Sequence, residues 1–542
     1  MFSLLDKERT IAGAGFNRWL VPPAALAIHL CIGMAYGFSV FWLPLSRALG
    51  VSAPIACASD AGFFAQLFTT HCDWSISTLG WMYTLFFVLL GTSAATWGGW
   101  LERAGPRKAA MVSAVCWCGG LLVSALGIHL HQFWLMLLGS GVIGGIGLGL
   151  GYISPVSTLI KWFPDRRGMA TGMAIMGFGG GAMIGSPLAA ELMAYFATPT
   201  DVGVMPTFLV LAGVYFVFMV AGALGYRVPP AGWKPAGWTP PAAQETAAMV
   251  TRRHVHVRKV WGIPQFWLLW VVLCMNVSAG IGVIGMASPM LQEVFGGTLI
   301  GLPTRFAELS PAQLGAVAGV AAGFTALLSL FNIAGRFFWA SLSDRWGRKL
   351  TYGMFLVLGG LLYFSVPASA AAGSMLGFVV ALCIIVSMYG GAFATVPAYL
   401  ADLFGTQMVG AIHGRLLTAW ATAGVLGPVV VNYMRDYQIS LGLPREQVYN
   451  QTMYILAAML VIGLICNLLV RPVADRHFMT DAELAEEKRL ARELSPAAAP
   501  GTAPAAQGAT HPLWLVLAWA AVGVPLAWGV WRTLNSAAQF FG

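Results

Sequence analysis

Charge is what this 542-residue chain has least of: Asp, Glu, Lys and Arg make up 9% of it, where a soluble globular protein carries about 25%. Hydrophobic residues make up 58%. Even a domain of ~300 residues buries only about three quarters of the surface its unfolded chain exposes, so a chain this apolar cannot hide its surface from water. The shortage of charge excludes a soluble enzyme, a nucleic-acid-binding module and a disordered scaffold. Lipid is the solvent for most of the chain. Acid is scarcer than base, 21 residues against 30 Lys and Arg, and no acid falls in the middle of an apolar run. The basic excess comes in short clusters between apolar runs, which is the pattern of topology signals rather than a nucleic-acid footprint.

Two further absences narrow the class. There are no ~10-residue alternating segments of the outer-membrane-barrel kind. No cleavable leader is expected either, because residues 1–18 are polar and carry Lys7, Arg9 and Arg18. About 20 apolar residues cross a ~30 Å hydrocarbon core. That ruler predicts twelve spans, at 19–45, 76–100, 109–129, 132–160, 168–196, 205–227, 262–292, 312–342, 350–370, 374–402, 412–434 and 451–471, and a thirteenth at 512–531. With the N-terminus in the cytoplasm, 23 of the 30 Lys and Arg lie on the inner side and five, Arg532 included, on the outer. This asymmetry predicts a multi-pass protein of the inner (plasma) membrane with a cytoplasmic N-terminus.

The spans divide six and six. Residues 1–228 are read as one six-helix bundle and 261–472 as another, with a Pro- and Gly-containing, basic cytoplasmic linker at 229–260. Residues 473–511 form a tail and tether, in which Thr480-Asp-Ala-Glu483 resembles a capping box opening a short charged helix; 512–542 hold the last helix. A shift of 242 residues brings Trp19 onto Trp261, Pro22 onto Pro264, Pro155 onto Pro397, and Glu102-Arg103-Ala-Gly105 onto Asp344-Arg345-Trp-Gly347. Shared unusual residues at one offset imply two homologous halves, a parallel repeat about an axis along the membrane normal.

The loop after the second span reads Gly98-Gly-Trp-Leu-Glu102-Arg103-Ala-Gly105-Pro-Arg107-Lys108, and that after the eighth reads Ala340-Ser-Leu-Ser-Asp344-Arg345-Trp-Gly347-Arg348-Lys349. Both resemble the G-x-x-x-D-R-x-G-R-[RK] signature of the major facilitator superfamily. An acid at a helix end can pair with Arg or face a neighbouring helix N-terminus, which makes Glu102, Arg103, Gly105, Asp344, Arg345 and Gly347 candidates for a cytoplasmic latch. A finer resemblance, to the oxalate:formate antiporter family, runs through Lys161-Trp-Phe-Pro-Asp165-Arg166-Arg167-Gly168, Tyr399-Leu-Ala-Asp-Leu-Phe-Gly405 and Gly414 to Pro428. The resemblance implies an all-α membrane protein of two six-helix bundles related by a pseudo-twofold, with the C-terminal helix as an addition.

Arg336 lies eight residues before Asp344, about 12 Å along a helix at 1.5 Å per residue. That is mid-membrane, where a charge costs about 2.5 kcal/mol or more and calls for a partner. In the resembled family an Arg of this helix binds the substrate carboxylate, and a guanidinium offers the planar fork for one. The family's second cation, a Lys in the eleventh helix, is matched here by Trp420. One central cation suits one carboxylate, so the expected partners are small carboxylate anions, monocarboxylates such as formate, lactate or pyruvate ahead of oxalate. Asn332 lies one turn before Arg336 on the same face. By analogy with the family, Tyr36, Tyr152, Tyr389 and Trp420 lie on cavity-lining helices.

The expected function is a secondary transporter of organic anions, working by exchange because no mid-span acid is present to carry a proton. A proton-coupled monocarboxylate symporter is the alternative, and a membrane-embedded anion sensor a more distant one. No nucleophile–base pair or cofactor motif points to an enzyme, and no cofactor is expected. His129-Leu-His131 and His254-Val-His256 lack further ligands at metal spacing, so no metal is assigned. Cys57 and Cys72 share the first outer loop and are candidates for a disulfide. The glycine clusters at 145–149 and 177–181 lie inside apolar spans and read as helix packing, not phosphate loops. The last helix is expected to cross the membrane as a peripheral helix that need not pack in the transport core, supports assembly or partner contact and is dispensable for binding.

Overall fold

A computed structural model of the protein describes residues 2–541, except residues 14, 52–54, 56, 58–62, 75, 231, 239–248 and 494–509. Among the described residues, thirteen helices are long and apolar enough to cross a membrane. They are α1 (Arg18–Phe38), α2 (Thr78–Glu102), α3 (Pro106–His129), α4 (Phe133–Trp162), α5 (Gly168–Phe196), α6 (Val204–Gly225), α7 (Pro264–Ala287), α8 (Gly323–Trp346), α9 (Arg348–Ala371), α10 (Met375–Phe404), α11 (Val409–Ser440), α12 (Arg445–Leu469) and α13 (Pro512–Asn535). Proline opens α3 and α7, where a missing amide hydrogen costs nothing. Ser310 and Gln313 form a reciprocal capping box where the helix of α8 begins, at Pro311.

The 242-residue repeat is written into the backbone. Gly105 and Gly347 both adopt left-handed φ, 89° and 83°, at the turns into α3 and α9, a conformation glycine adopts freely. Arg107 donates to the Tyr226 carbonyl at 2.9 Å and Lys349 to the Leu468 carbonyl at 2.9 Å. Cation and acceptor shift by the same offset, so in each half a basic residue caps the end of the sixth helix.

On the side of the membrane that carries the linker, the halves meet through small residues. A Cβ on Gly91 of α2 would lie 2.5 Å from the Leu417 carbonyl oxygen of α11, and one on Gly172 of α5 would lie 2.8 Å from the Arg336 carbonyl oxygen of α8. Only glycine allows these backbones to approach so closely. On the far side, Cys57 and Cys72 are joined by a disulfide with their Cα atoms 5.0 Å apart. Asp73 next to it accepts hydrogen bonds from the Leu49, Gly50 and Ile55 amides at 2.7–3.0 Å, and His131 donates to the Cys72 carbonyl at 2.9 Å.

The last helix, α13, lies at the periphery, as expected, with most of its surface uncovered, and packs on α1, α5 and α8 from outside. Near the linker side Trp519 Nε1 donates to the Trp19 carbonyl at 3.0 Å, and on the far side Arg532 pairs with Glu191 at 2.6 Å. Val522 is buried with Leu26 and Ala27, and a Cβ on Gly180 of α5 would meet Leu526 at 3.0 Å. The contact is reciprocal, because a Cβ on Gly529 of α13 would in turn meet Ile184 and Met183 of α5 at 3.1 and 3.2 Å. The helix Asp481–Glu493 opens with the predicted capping box. It docks on the segment before α7 through Lys259–Glu483 at 2.8 Å and His256–Glu487 at 3.0 Å.

Candidate functional site

The helices bring one cation to the centre of the molecule. Arg336 of α8 is fully buried. Its Nε donates to Asn332 Oδ1 one turn earlier at 2.8 Å, and Nη1 donates to the Ile175 carbonyl of α5 at 2.9 Å. Nη2 is buried and has no hydrogen-bond partner in the protein. The guanidinium carbon lies 5.8 Å from the ring centres of both Phe178 and Phe393, so aromatic faces supply part of what water has lost. Two glycines leave room for it. A Cβ on Gly179 would stand 3.2 Å from Arg336 Nε, and one on Gly390 would stand 2.9 Å from Asn332 Oδ1.

Around Arg336 closes an aromatic box drawn from both halves. The Tyr36 hydroxyl of α1 and the Tyr389 hydroxyl of α10 share a hydrogen bond at 3.0 Å. Tyr152 of α4 and Trp420 of α11 meet edge to face at 5.1 Å, Phe178 lies 5.5 Å from Trp420, and Phe393 lies 4.3 Å from it. Tyr152 and Trp420 are fully buried, yet neither the Tyr152 hydroxyl nor Trp420 Nε1 has a partner. A buried polar group without a partner costs about 1–3 kcal/mol. Three such groups, all able to donate, in one box form an arrangement suited to an anion.

All six residues singled out in the sequence for the centre meet there. Sequence reasoning missed Phe178, Phe393 and the Ile175 carbonyl. The one signal for Phe178 was its place between Gly177 and Gly179, which was read as packing alone. His29 is fully buried, with one ring nitrogen against the Ala174 carbonyl and the other 3.2 Å from the Tyr152 carbonyl, so it is bound into the helix packing. Also missed was Glu293, buried at the far side against Arg435 at 2.5 Å, Arg445 at 3.2 Å and Tyr449 at 2.5 Å.

The latch residues separate into two kinds. Asp344 accepts the Gly168 and Met169 amides at 2.9 and 3.1 Å, capping the start of α5 from the other half. The cation on Asp344 is Arg348 at 2.5 Å, while Arg345, the other arginine of the motif, is exposed. The Gly347 turn brings residue 348 back over the carboxylate. Glu102 pairs with Lys161 of its own half at 2.7 Å, and its backbone carbonyl accepts from Lys7 at 2.9 Å. Burial, and then Lys161 nearby, lower the Lys7 ammonium from its ordinary range. The side chain of Arg103 lies outside the described residues.

A polytopic α-helical membrane carrier is the class these features define: two repeated six-helix halves closed around a buried cation. The sequence profile of the Major Facilitator Superfamily matches residues 25–428, and the chain belongs to that family. Among curated proteins it is 27% identical over 445 residues to the apicoplast pyruvate carrier 1 of Toxoplasma gondii, covering 71% of this chain and 78% of that protein. It is 23% identical over 412 residues to the oxalate:formate antiporter of Oxalobacter formigenes, covering 76% and 83%. Among solved structures, the proton:xylose symporter bound to 6-bromo-6-deoxy-D-glucose superposes with a TM-score of 0.57 at 15% identity, covering 86% of this chain and 98% of that one. The E. coli fucose:proton symporter superposes with a TM-score of 0.53 at 12% identity, covering 84% and 99%. These two likenesses show the fold.

Proposed function

We propose that the protein exchanges small organic anions, monocarboxylates ahead of oxalate, across the plasma membrane by rocking of its two halves, with the linker side in the cytoplasm. The observation that carries this reading is the buried Arg336 with Nη2 free, facing a box in which the Tyr152 hydroxyl and Trp420 Nε1 are also without partners. A carboxylate satisfies donors of this kind with two oxygens. The box offers one permanent cation, which balances one carboxylate. Two of the curated relatives, a pyruvate carrier and an oxalate:formate antiporter, are named for such cargo.

Exchange follows from the same charge. With no anion bound, Arg336 is a desolvated cation with no counter-charge, and rocking the empty site moves that charge through the membrane. A bound carboxylate removes the charge, so the loaded protein crosses between states at lower cost. Mid-span acids, which would take the same role through a proton, are missing from the sequence. The test is counterflow of labelled pyruvate into proteoliposomes loaded with unlabelled pyruvate. Arg336→Gln is expected to lose exchange, and Arg336→Lys, which keeps charge without the fork, to lose at least ~10-fold. Wild-type counterflow by a well-folded Arg336→Gln protein would overturn the assignment.

A further inference from the structure

His413 of α11 is a buried base that makes no hydrogen bond in the packing. It is 1% exposed, and neither ring nitrogen has a hydrogen-bond partner. Its imidazole centre lies 6.0 Å from the Tyr152 ring, so it stands beside the box on its linker side, seven residues before Trp420. The contrast with His29 is instructive, because both His29 nitrogens face backbone carbonyls. A buried imidazole with both nitrogens open needs a ligand, a proton or water.

We propose that His413 is a proton-binding second cation of the substrate site, through which the protein also takes dicarboxylates, each together with one proton. The proposal rests on Arg336 holding the first carboxylate. With a monocarboxylate, Arg336 balances the charge and the imidazole stays neutral. With a dicarboxylate, a proton taken up from water at the loading face sits on the imidazole and is released with the anion on the other side. Arg336 and the imidazolium then offset two carboxylates. Both loaded sites are net neutral, which is what a desolvated centre demands. By linkage, the dianion raises the proton affinity of the imidazole and the proton raises the affinity for the dianion by the same factor.

Among the described residues, no other group near His413 takes this role. Tyr152 faces it from α4. On α2, Glu102 is held by Lys161 of α4 at 2.7 Å, and on α10, Asp402 is held by Arg348 at 3.3 Å. Tyr399 on α10 and Cys274 on α7 are buried neutral groups. Arg258 and Lys259 lie in the segment before α7, and Lys259 is paired with Glu483. Arg415, on α11 itself, donates to the Val257 carbonyl, away from the box. The carboxylates on these elements are therefore already paired with cations, and the imidazole is the open titratable group beside the site.

The experiment uses the full chain in proteoliposomes with equal pH on both sides, comparing oxalate and pyruvate counterflow at about pH 7.5 and about pH 5.5. Oxalate remains a dianion over this range, so its own titration does not enter. The oxalate-to-pyruvate ratio is expected to rise at least ~10-fold at the lower pH, as linkage of about one proton predicts, and His413→Gln is expected to hold it flat. A flat wild-type ratio, or the same rise in His413→Gln, overturns the proposal. Should that variant melt or aggregate, the wild type alone decides. In weakly buffered detergent solution at about pH 7, adding oxalate should draw one proton per protein from the medium and adding pyruvate none. Oxalate binding without proton uptake overturns it. If wild-type protein fails to exchange pyruvate at either pH, the transport reading itself has failed, which is a separate result.

Discussion

Asp344 and Glu102 occupy equivalent places 242 residues apart, yet they do different work. Asp344 reaches across from one half to the other, caps the first amides of α5 with both oxygens and carries Arg348 at its back. Glu102 also points at the partner half, towards Gly410 at the start of α11, but its Oε1 has no partner there and its Oε2 turns back to Lys161. One methylene accounts for the difference. Asp has the reach of a good N-cap, and a longer chain overshoots the amides. The α5–α8 crossing therefore has a charged cap beside its glycine contact, while the α2–α11 crossing rests on packing, Gly91 against the Leu417 carbonyl and Phe87 against Trp420. A sequence repeat does not guarantee a repeat of interactions.

The comparison breaks most visibly at Asp344. Asp344→Asn keeps the shape and removes the anion from the helix start and from Arg348, with an expected loss of about 2 kcal/mol. The melting temperature in detergent should fall clearly below wild type, and an unchanged melt would show that charge does not hold this crossing. Glu102→Asp sharpens the comparison from the other side. Shortened to the reach of Asp344, the carboxylate should cap α11 and add about 0.5 kcal/mol, seen as a small rise in melting temperature. A fall would mean that the pair with Lys161 matters more than the cap.

The smallest effect belongs to a pair outside both latches. The hydrogen bond from Lys259, and then that from the Thr480 amide, hold the Glu483 carboxyl below its ordinary value of 4.5. A lowered folded value means that the pair stabilises the docked helix above the ordinary carboxylate range and loses that effect as pH falls through the folded value. Amide exchange over residues 481–493 should therefore be steady from neutral pH down to that range and accelerate below it. Glu483→Gln should remove the dependence, and acceleration already between pH 7 and 6 would assign it to another group.

Much of the fold was legible because the bilayer imposes one rule on every span. A run of about 20 apolar residues has few alternatives to a helix that satisfies its own amides. That is why the spans predicted at 109–129 and 374–402 lie so close to Pro106–His129 and Met375–Phe404. Arg336 was legible for the same reason, since a lone charge at mid-span carries its own cost. Phe178, Phe393 and His413 were not. An aromatic or a histidine within an apolar helix looks the same whether it faces lipid, packing or an empty site, and only the crossing of helices distant in sequence separates these. That α13 is peripheral was legible, but which helices it lies on was not, because its composition suits lipid and α5 equally well.

By itself, then, the sequence determined the spans, the two repeated halves, the central cation and the turns at Gly105 and Gly347. Each of these follows from local hydropathy, local backbone conformation or a single costly charge. Tertiary structure decided which carboxylate reaches across the halves, which buried donors remain unpaired beside Arg336, where α13 lies, and that the His413 nitrogens are left without partners while those of His29 face backbone carbonyls. Those outcomes turn on differences of an ångström or two between groups more than a hundred residues apart, and such distances exist only after the helices have packed.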